Sequence, residues 1–346
     1  MTHARPILSG VLTAFTLILS SALSCAAAQA RENLWIISSA ADFSYTAAVG
    51  ESFARKYRLP APFIERYSPR NSVRLFCAGL GSAHPDVVGL PRRLWQSEIR
   101  NCRVNGVTRV TEVKVGYDAV VLAQGGDTTA FTLTRVQLFK ALAAELLVEG
   151  ELVENPHRTW HDIDPALPDH VIKVYGPAPF TDFGVLFLTD VMIAGCRAYL
   201  AGQHAAEERR GINCSDLRRD GAYLAQGRWR AEALRRALRE PGAMTVLPFS
   251  AYRRHGLPGS AVALDGVVPD EVSIAMGDYP ALCPIYIYVK SQHFERLPGI
   301  LEFVTEYTSD WAWAPGGYLV EAGLVPLSQE DRIAQRSNAI GLNPIW

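Results

Sequence analysis

Short apolar runs alternate along this chain with longer amphipathic stretches. Leu34-Trp35-Ile36-Ile37 predicts a buried strand, Ser38-Ser39-Ala40-Ala41-Asp42 a small-residue turn, and Tyr45 to Tyr57 a helix with Ala48, Val49 and Phe53 at helical spacing. The unit repeats. Phe63 to Tyr67 reads as a strand, Ser68-Pro69-Arg70-Asn71-Ser72 as a turn, and a helix starts near Val73. Asp86 to Leu90 is a further strand, ending at Pro91-Arg92-Arg93. Val110 to Val115 alternates, and Tyr117 to Leu122 is strongly apolar before Gly125-Gly126-Asp127 breaks the chain. Thr134 opens a helix expected to reach Leu147. Val171 to Tyr175, Ala243 to Leu247 and Ile285 to Val289 predict strands. A loop from Gly176 to Asp182 leads into a helix through Met192, and further helices are expected from Gly221 to Arg239 and from Leu297 to Tyr307. Strands alternating with helices predict an α/β protein with mostly parallel sheets.

The N-terminus follows a different logic. His3 and Arg5 precede an apolar run from Ile7 to Leu23, and small residues end at Ala28-Gln29-Ala30. Basic start, apolar middle and an A-x-A end describe a secretory signal peptide over residues 1–30. The rivals are a retained anchor, for which the run is short and interrupted by Ser and Thr, and lipidation at Cys25, for which Ala22-Leu23-Ser24 is a poor signal. No other segment reads as long and apolar enough to cross a bilayer. Export places the chain in the periplasm, where disulfides persist. Cys77 with Cys102 and Cys196 with Cys214 flank loop-rich stretches and are expected to pair, leaving Cys283 free.

Composition narrows the function. The chain has 346 residues, room for two domains, with 49% hydrophobic and 20% charged residues. A net charge of -1 gives no field toward nucleic acid. The cysteines lack a C-x-x-C pair and the eight histidines are scattered, so neither metal nor cofactor is expected. No G-x-S-x-G, H-E-x-x-H or phosphate-loop motif is present, which speaks against an enzyme. His157 and His161 lie four apart, but Pro156 and Pro165 argue for a loop there, with Asp162 and Asp164 as turn and cap residues.

An ordered set of segments carries a resemblance: Leu75-Phe76-Cys77-Ala78-Gly79, His84-Pro85-Asp86, Asn105-Gly106-Val107, Gly116-Tyr117-Asp118, Thr159 to Pro168, Arg219 to Tyr223, Tyr279-Pro280 through Lys290, and Gly317-Tyr318-Leu319. Together they resemble the periplasmic phosphate-binding proteins of bacterial ABC importers, particularly the alphaproteobacterial forms. The resemblance implies a type II periplasmic binding protein fold, with two α/β lobes and a ligand cleft between them. It also implies a small-molecule or oxyanion ligand and delivery to an ABC permease; the alternative, motivated by altered anion-binding turns, is a non-transport module that has lost phosphate binding and recognises another ligand or a partner such as a sensor protein. Residues 31–122 and 278–346 would then form lobe one and residues 123–277 lobe two.

The resemblance also points to four places that should hold the anion, and each departs from the family. A G-S-S-T turn reads Ser38-Ser39-Ala40-Ala41, keeping the Ser39 hydroxyl. Asp42 follows, either as a helix N-cap or as a charge facing the anion. A glycine-rich turn reads Ser68-Pro69-Arg70-Asn71-Ser72, where Pro69 removes an amide and Arg70 offers a guanidinium or a solvated surface charge. An S-R-R turn reads Pro91-Arg92-Arg93, with Arg92 either a ligand contact or a structural ion pair. A T-S-G-T-R-D turn reads Phe180-Thr181-Asp182-Phe183-Gly184-Val185, keeping the Thr181 hydroxyl but adding the Asp182 carboxylate. Cys283 stands where an Arg is common. Ser39, Arg70, Arg92, Thr181 and Asp182 are the candidate contacts, and the altered turns imply relaxed or redirected selectivity.

Overall fold

The structure, a computed structural model, describes residues 31–345 except 126–131, 204–210, 227–234, 236–237, 241 and 256–259. The leader and the Gly126-Asp127 break lie outside the described residues.

In chain order the strands are β1 (Trp35–Ser38), β2 (Phe63–Arg66), β3 (Val87–Leu90), β4 (Val110–Gln124), β5 (Glu145–Val148), β6 (Glu151–Glu154), β7 (Val174–Pro177), β8 (Tyr223–Gln226), β9 (Met244–Pro248), β10 (Ser260–Val262), β11 (Leu282–Lys290) and β12 (Val325–Pro326). The main sheet runs β2-β1-β3-β11-β4-β9-β7-β8, with β10 and β12 also on β4. Its two ends are parallel: β1 beside β2 and β3, and β7 beside β8 and β9. The middle is antiparallel, because β4 and β11 run against each other and against their outer neighbours. The expectation of mostly parallel sheets therefore holds only at the ends.

The two apolar segments from Val110 to Leu122 are one strand. Gly116 does not interrupt it, since a Cβ there would lie 2.6 Å from the Val325 carbonyl oxygen, so glycine admits β12 alongside. Along β4 the partner changes from β11 at Ala119 to β9 at Val120, so a single strand ties both halves of the sheet.

The helices that matter here are α1 (Phe43–Tyr57), α2 (Pro69–Phe76), α3 (Gln96–Val104), α4 (Arg135–Leu142), α5 (Trp160–Ile163), α6 (Asp182–Leu186), α7 (Ala194–Gly202) and α8 (Phe249–His255). The expected turn from Ser68 to Ser72 is instead the start of α2, with Pro69 in the first turn, where its missing N–H costs nothing. α4 stops at Leu142 rather than Leu147. Ala143 is extended, and Glu149-Gly150 turns β5 onto β6 with both residues at positive φ, 51° and 86°, as a two-residue hairpin requires. Thr134 does cap α4, within a Thr134–Gln137 capping box. The strand expected from Val171 lies at Val174–Pro177, and the start of the helix expected from Gly221 is β8.

Between α6 and α7 the residues Phe187–Ile193 form a π-helix, so Asp182–Gly202 is one continuous helical run. That run meets the length and hydropathy of a membrane span, contrary to the sequence reading, but half of it is buried in the fold, where α4 packs on it. Both expected disulfides are present. Cys77–Cys102 joins the C-terminus of α2 to α3, and Cys196–Cys214 pins α7 to the loop beyond it. Cys283 is free and buried.

Candidate functional site

A cleft of about 660 Å³ opens where the turn after β1, the end of β2, the start of α6 and the start of α8 converge. Its lining includes Ala40, Ala41, Arg66, Tyr67, Asp118, Phe180, Thr181, Asp182, Phe183, Ser250 and Arg254. Buried β1 carries the chain straight into the turn before α1, and Ala40 and Ala41 of that turn line the cleft.

Asp42 occupies the N-cap position of α1 but makes no capping hydrogen bond. Its fully buried carboxylate turns back into the β1 turn. There it accepts from the Ser38 hydroxyl, from the Ser39 amide at 2.8 Å, from the Ser39 hydroxyl, and from Thr46 Oγ1 at 3.1 Å. Room for it comes from Gly89 on β3: a Cβ there would lie 1.7 Å from Asp42 Oδ2. Burial pushes the Asp42 carboxyl up to about 6, against the pull of its hydrogen bonds.

Asp182, 7% exposed, reaches the same turn from the first residue of α6. Its Oδ2 accepts the Ala41 amide at 3.2 Å, and the Ala40 amide and the Ser39 hydroxyl also lie against the carboxylate. Burial raises its affinity for a proton, while these donors and the more distant Arg66 lower it. Thr181 is the N-cap of α6: its hydroxyl accepts from the Gly184 amide at 3.1 Å and donates to the Ala178 carbonyl at 2.7 Å. The Ala178 carbonyl takes the one proton that hydroxyl has to donate.

A third carboxylate, Asp118, lies buried on the cleft floor in the middle of β4. It accepts from the Ser250 hydroxyl at 2.6 Å, the Ser250 amide at 3.0 Å and the Ala119 amide at 2.8 Å, and burial raises its pKa. Cys283 is its register partner on β11, and burial plus the neighbouring Asp118, Asp182 and Asp42 hold that thiol protonated. The positive charge is at the rim. Arg66 lies over the Phe43 ring at 5.5 Å, and Arg254 extends from α8. Both are exposed, and neither forms an ion pair among the described residues. Phe180 is 81% exposed at the mouth, whereas Phe183 is buried in the wall.

The structure thus brings Ser39, Thr181 and Asp182 together and leaves Arg70 and Arg92 elsewhere. Arg70 lines a separate groove between α2 and α3. Arg92 is bound to Glu98 by two hydrogen bonds of 2.8 Å and stacks 3.7 Å from the Trp95 ring centroid, an ion pair that anchors α3. Glu98 also accepts the Trp95 amide, so that guanidinium is committed to the helix start. Sequence reasoning missed Arg66, Arg254, Asp118 and Ser250. The available signal was Asp118, a carboxylate within an apolar strand. His161 lies on α5, and Asp162 caps it by accepting from the Arg158 and Thr159 amides at 2.7 and 2.8 Å. Among the described residues no group of three His, Cys, Asp or Glu is placed to hold a metal.

The sequence profile of a family described as a PBP superfamily domain matches residues 26–310. Solved structures share the fold at low identity. A possible phosphate binding protein from Planctomyces limnophilus superposes with a TM-score of 0.62 at 18% identity, over 90% of this chain and 99% of that one. An ABC-type phosphate transport receptor from Vibrio cholerae gives 0.58 at 14%, over 85% and 99%. A putative phosphate ABC transporter substrate-binding protein from Clostridium perfringens, with bound phosphate, gives 0.56 at 16%, over 86% and 100%. No match was found among curated protein sequences.

Proposed function

Because the chain belongs to the PBP superfamily, we propose that it is an exported, non-catalytic solute-binding protein of a bacterial ABC importer, holding a small oxyanion-bearing solute between two lobes. The fold is the type II α/β architecture. In this reading residues 31–122 and 278–346 form lobe one and residues 123–277 lobe two, with the crossing on β4 just beyond the point where it changes partners between Ala119 and Val120. The two disulfides and the leader-like residues 1–30 fit a periplasmic location. An inner-membrane permease would receive the solute.

The observation that carries this reading is the cleft of about 660 Å³ with Arg66 and Arg254 at its rim. Guanidinium groups bind carboxylate and phosphate oxygens through paired N–H donors. The Ser39, Ala40 and Ala41 amides of the turn before α1 are already taken by the chain's own carboxylates, so the ligand's anionic group falls to the rim arginines. Tyr67 and Phe180 beside them offer apolar surface to an organic body. An organic oxyanion therefore suits the cleft better than a bare inorganic ion.

Native mass spectrometry of the purified protein would identify a co-purified solute, and thermal-shift screening of organic phosphates and carboxylates would rank candidates. Arg66→Ala and Arg254→Ala should each weaken the best ligand by about tenfold or more, the worth of a hydrogen bond to a charged group. A cleft ligand whose affinity ignores both substitutions would remove the basis of this assignment.

A further inference from the structure

Asp182 and Ala41 are 141 residues apart in sequence, yet the carboxylate of one caps the amide of the other. Three amides of the turn before α1 meet carboxylates of the chain itself. Ser39 N–H goes to Asp42, Ala41 N–H goes to Asp182, and Ala40 N–H also lies against Asp182. The turn leads into the N-terminus of a 15-residue helix, whose dipole favours negative charge there. Asp182, Ala40 and Ala41 all line the cleft, so this contact lies at the site itself. Behind it the buried Tyr45 hydroxyl, on the first turn of α1, lies against Ser250 and Asp118.

We propose that Asp182 is a tethered competitor for free oxyanions: its carboxylate sits on the Ala40 and Ala41 amides of the turn leading into α1, where a phosphate or sulfate ion would otherwise bind, and so sets the specificity of the cleft. A side chain held in place by the fold acts at an effective concentration in the millimolar range or above. A free inorganic anion at micromolar concentration must displace that carboxylate, and it meets the negative charge of Asp118 as well. A larger solute anchored on Arg66 and Arg254 need not displace it. The inference rests on this cleft being the binding site and adds the reason that the site passes over the bare ion.

The test is isothermal titration of the purified protein with inorganic phosphate, and separately with sulfate, at pH 7.5. The proteins compared are wild type, Asp182→Ala and Asp182→Asn. Asp182→Ala removes the competitor and should bind at least one of the two ions at least tenfold more tightly than wild type. Asp182→Asn keeps the shape and one acceptor oxygen but loses the charge, and should gain about threefold. Should Asp182→Ala fail to fold, as read by circular dichroism, Asp182→Asn alone decides. No gain for either ion in the folded variants overturns the proposal, as does micromolar phosphate binding by the wild type. Arg66 and Arg254 are intact in both variants, so failure here leaves the assignment of the organic ligand standing, and failure of that assignment leaves this result readable.

Discussion

Replacing Gly89 with alanine would put a methyl group into the space of the Asp42 carboxylate. The added Cβ would lie 1.7 Å from Oδ2 and 2.4 Å from Cγ, where ordinary contact begins near 3.4 Å. Either the carboxylate retreats or β3 shifts. β3 is held by β1 on one side and β11 on the other, so the carboxylate is the weaker point. Its retreat gives up the Oδ2 hydrogen bonds from Ser38 and Thr46. Hydrogen bonds to a charged group are worth about 1.5–3 kcal/mol each, which sets the cost of Gly89→Ala at about 3–6 kcal/mol. That is a large part of the roughly 5–15 kcal/mol that holds a protein folded. Urea unfolding followed by circular dichroism should show a lower midpoint with an unchanged slope. The same substitution in an Asp42→Ala background should cost less than about 1 kcal/mol, since the obstructed group is gone, leaving a coupling above about 2 kcal/mol. Equal costs in both backgrounds, or a Gly89→Ala protein within about 1 kcal/mol of wild type, would refute the reasoning.

Asp42 also gives the fold a pH dependence. Its carboxyl is raised from 3.8 to about 6 on folding, so the native state takes up its proton more readily than the unfolded chain. The stability this contributes is complete below about pH 4 and is lost as pH rises through 6, a swing of about 3 kcal/mol. Asp118 and Asp182, raised in the same direction, act with the same sign. Urea midpoints measured from pH 4 to pH 7 should therefore fall more steeply for wild type than for Asp42→Asn, and parallel curves would disprove the linkage. Reducing Cys77–Cys102 and Cys196–Cys214, separated by 25 and 18 residues, should cost about 3 kcal/mol each through released chain entropy. A melting temperature unchanged by dithiothreitol would contradict that. Cys283, buried and held protonated, should react with a thiol reagent only after unfolding, and rapid labelling of the native protein would place the residue wrongly.

The chain's own pattern determined what depends on neighbours in sequence. The apolar runs located β1, β3, β9 and the core of β11. Thr134 with Gln137 marked the start of α4, and the cysteines flanking their loops indicated both disulfides. These are readable because side-chain periodicity and capping act over a turn or two of chain. Local signals also misled where two shared one segment: Glu149-Gly150 made a hairpin that ended α4 early, and Pro69 began a helix in place of a turn.

The site was decided elsewhere. Arg92 satisfied the motif, but Glu98 six residues later took its guanidinium. Asp42 matched an N-cap, but the space left by Gly89 let its carboxylate turn inward. Asp182 acquired its place from amides 141 residues away. A carboxylate's partners and proton affinity depend on which dipoles surround it and how much water remains, and chain closure alone brings those groups together.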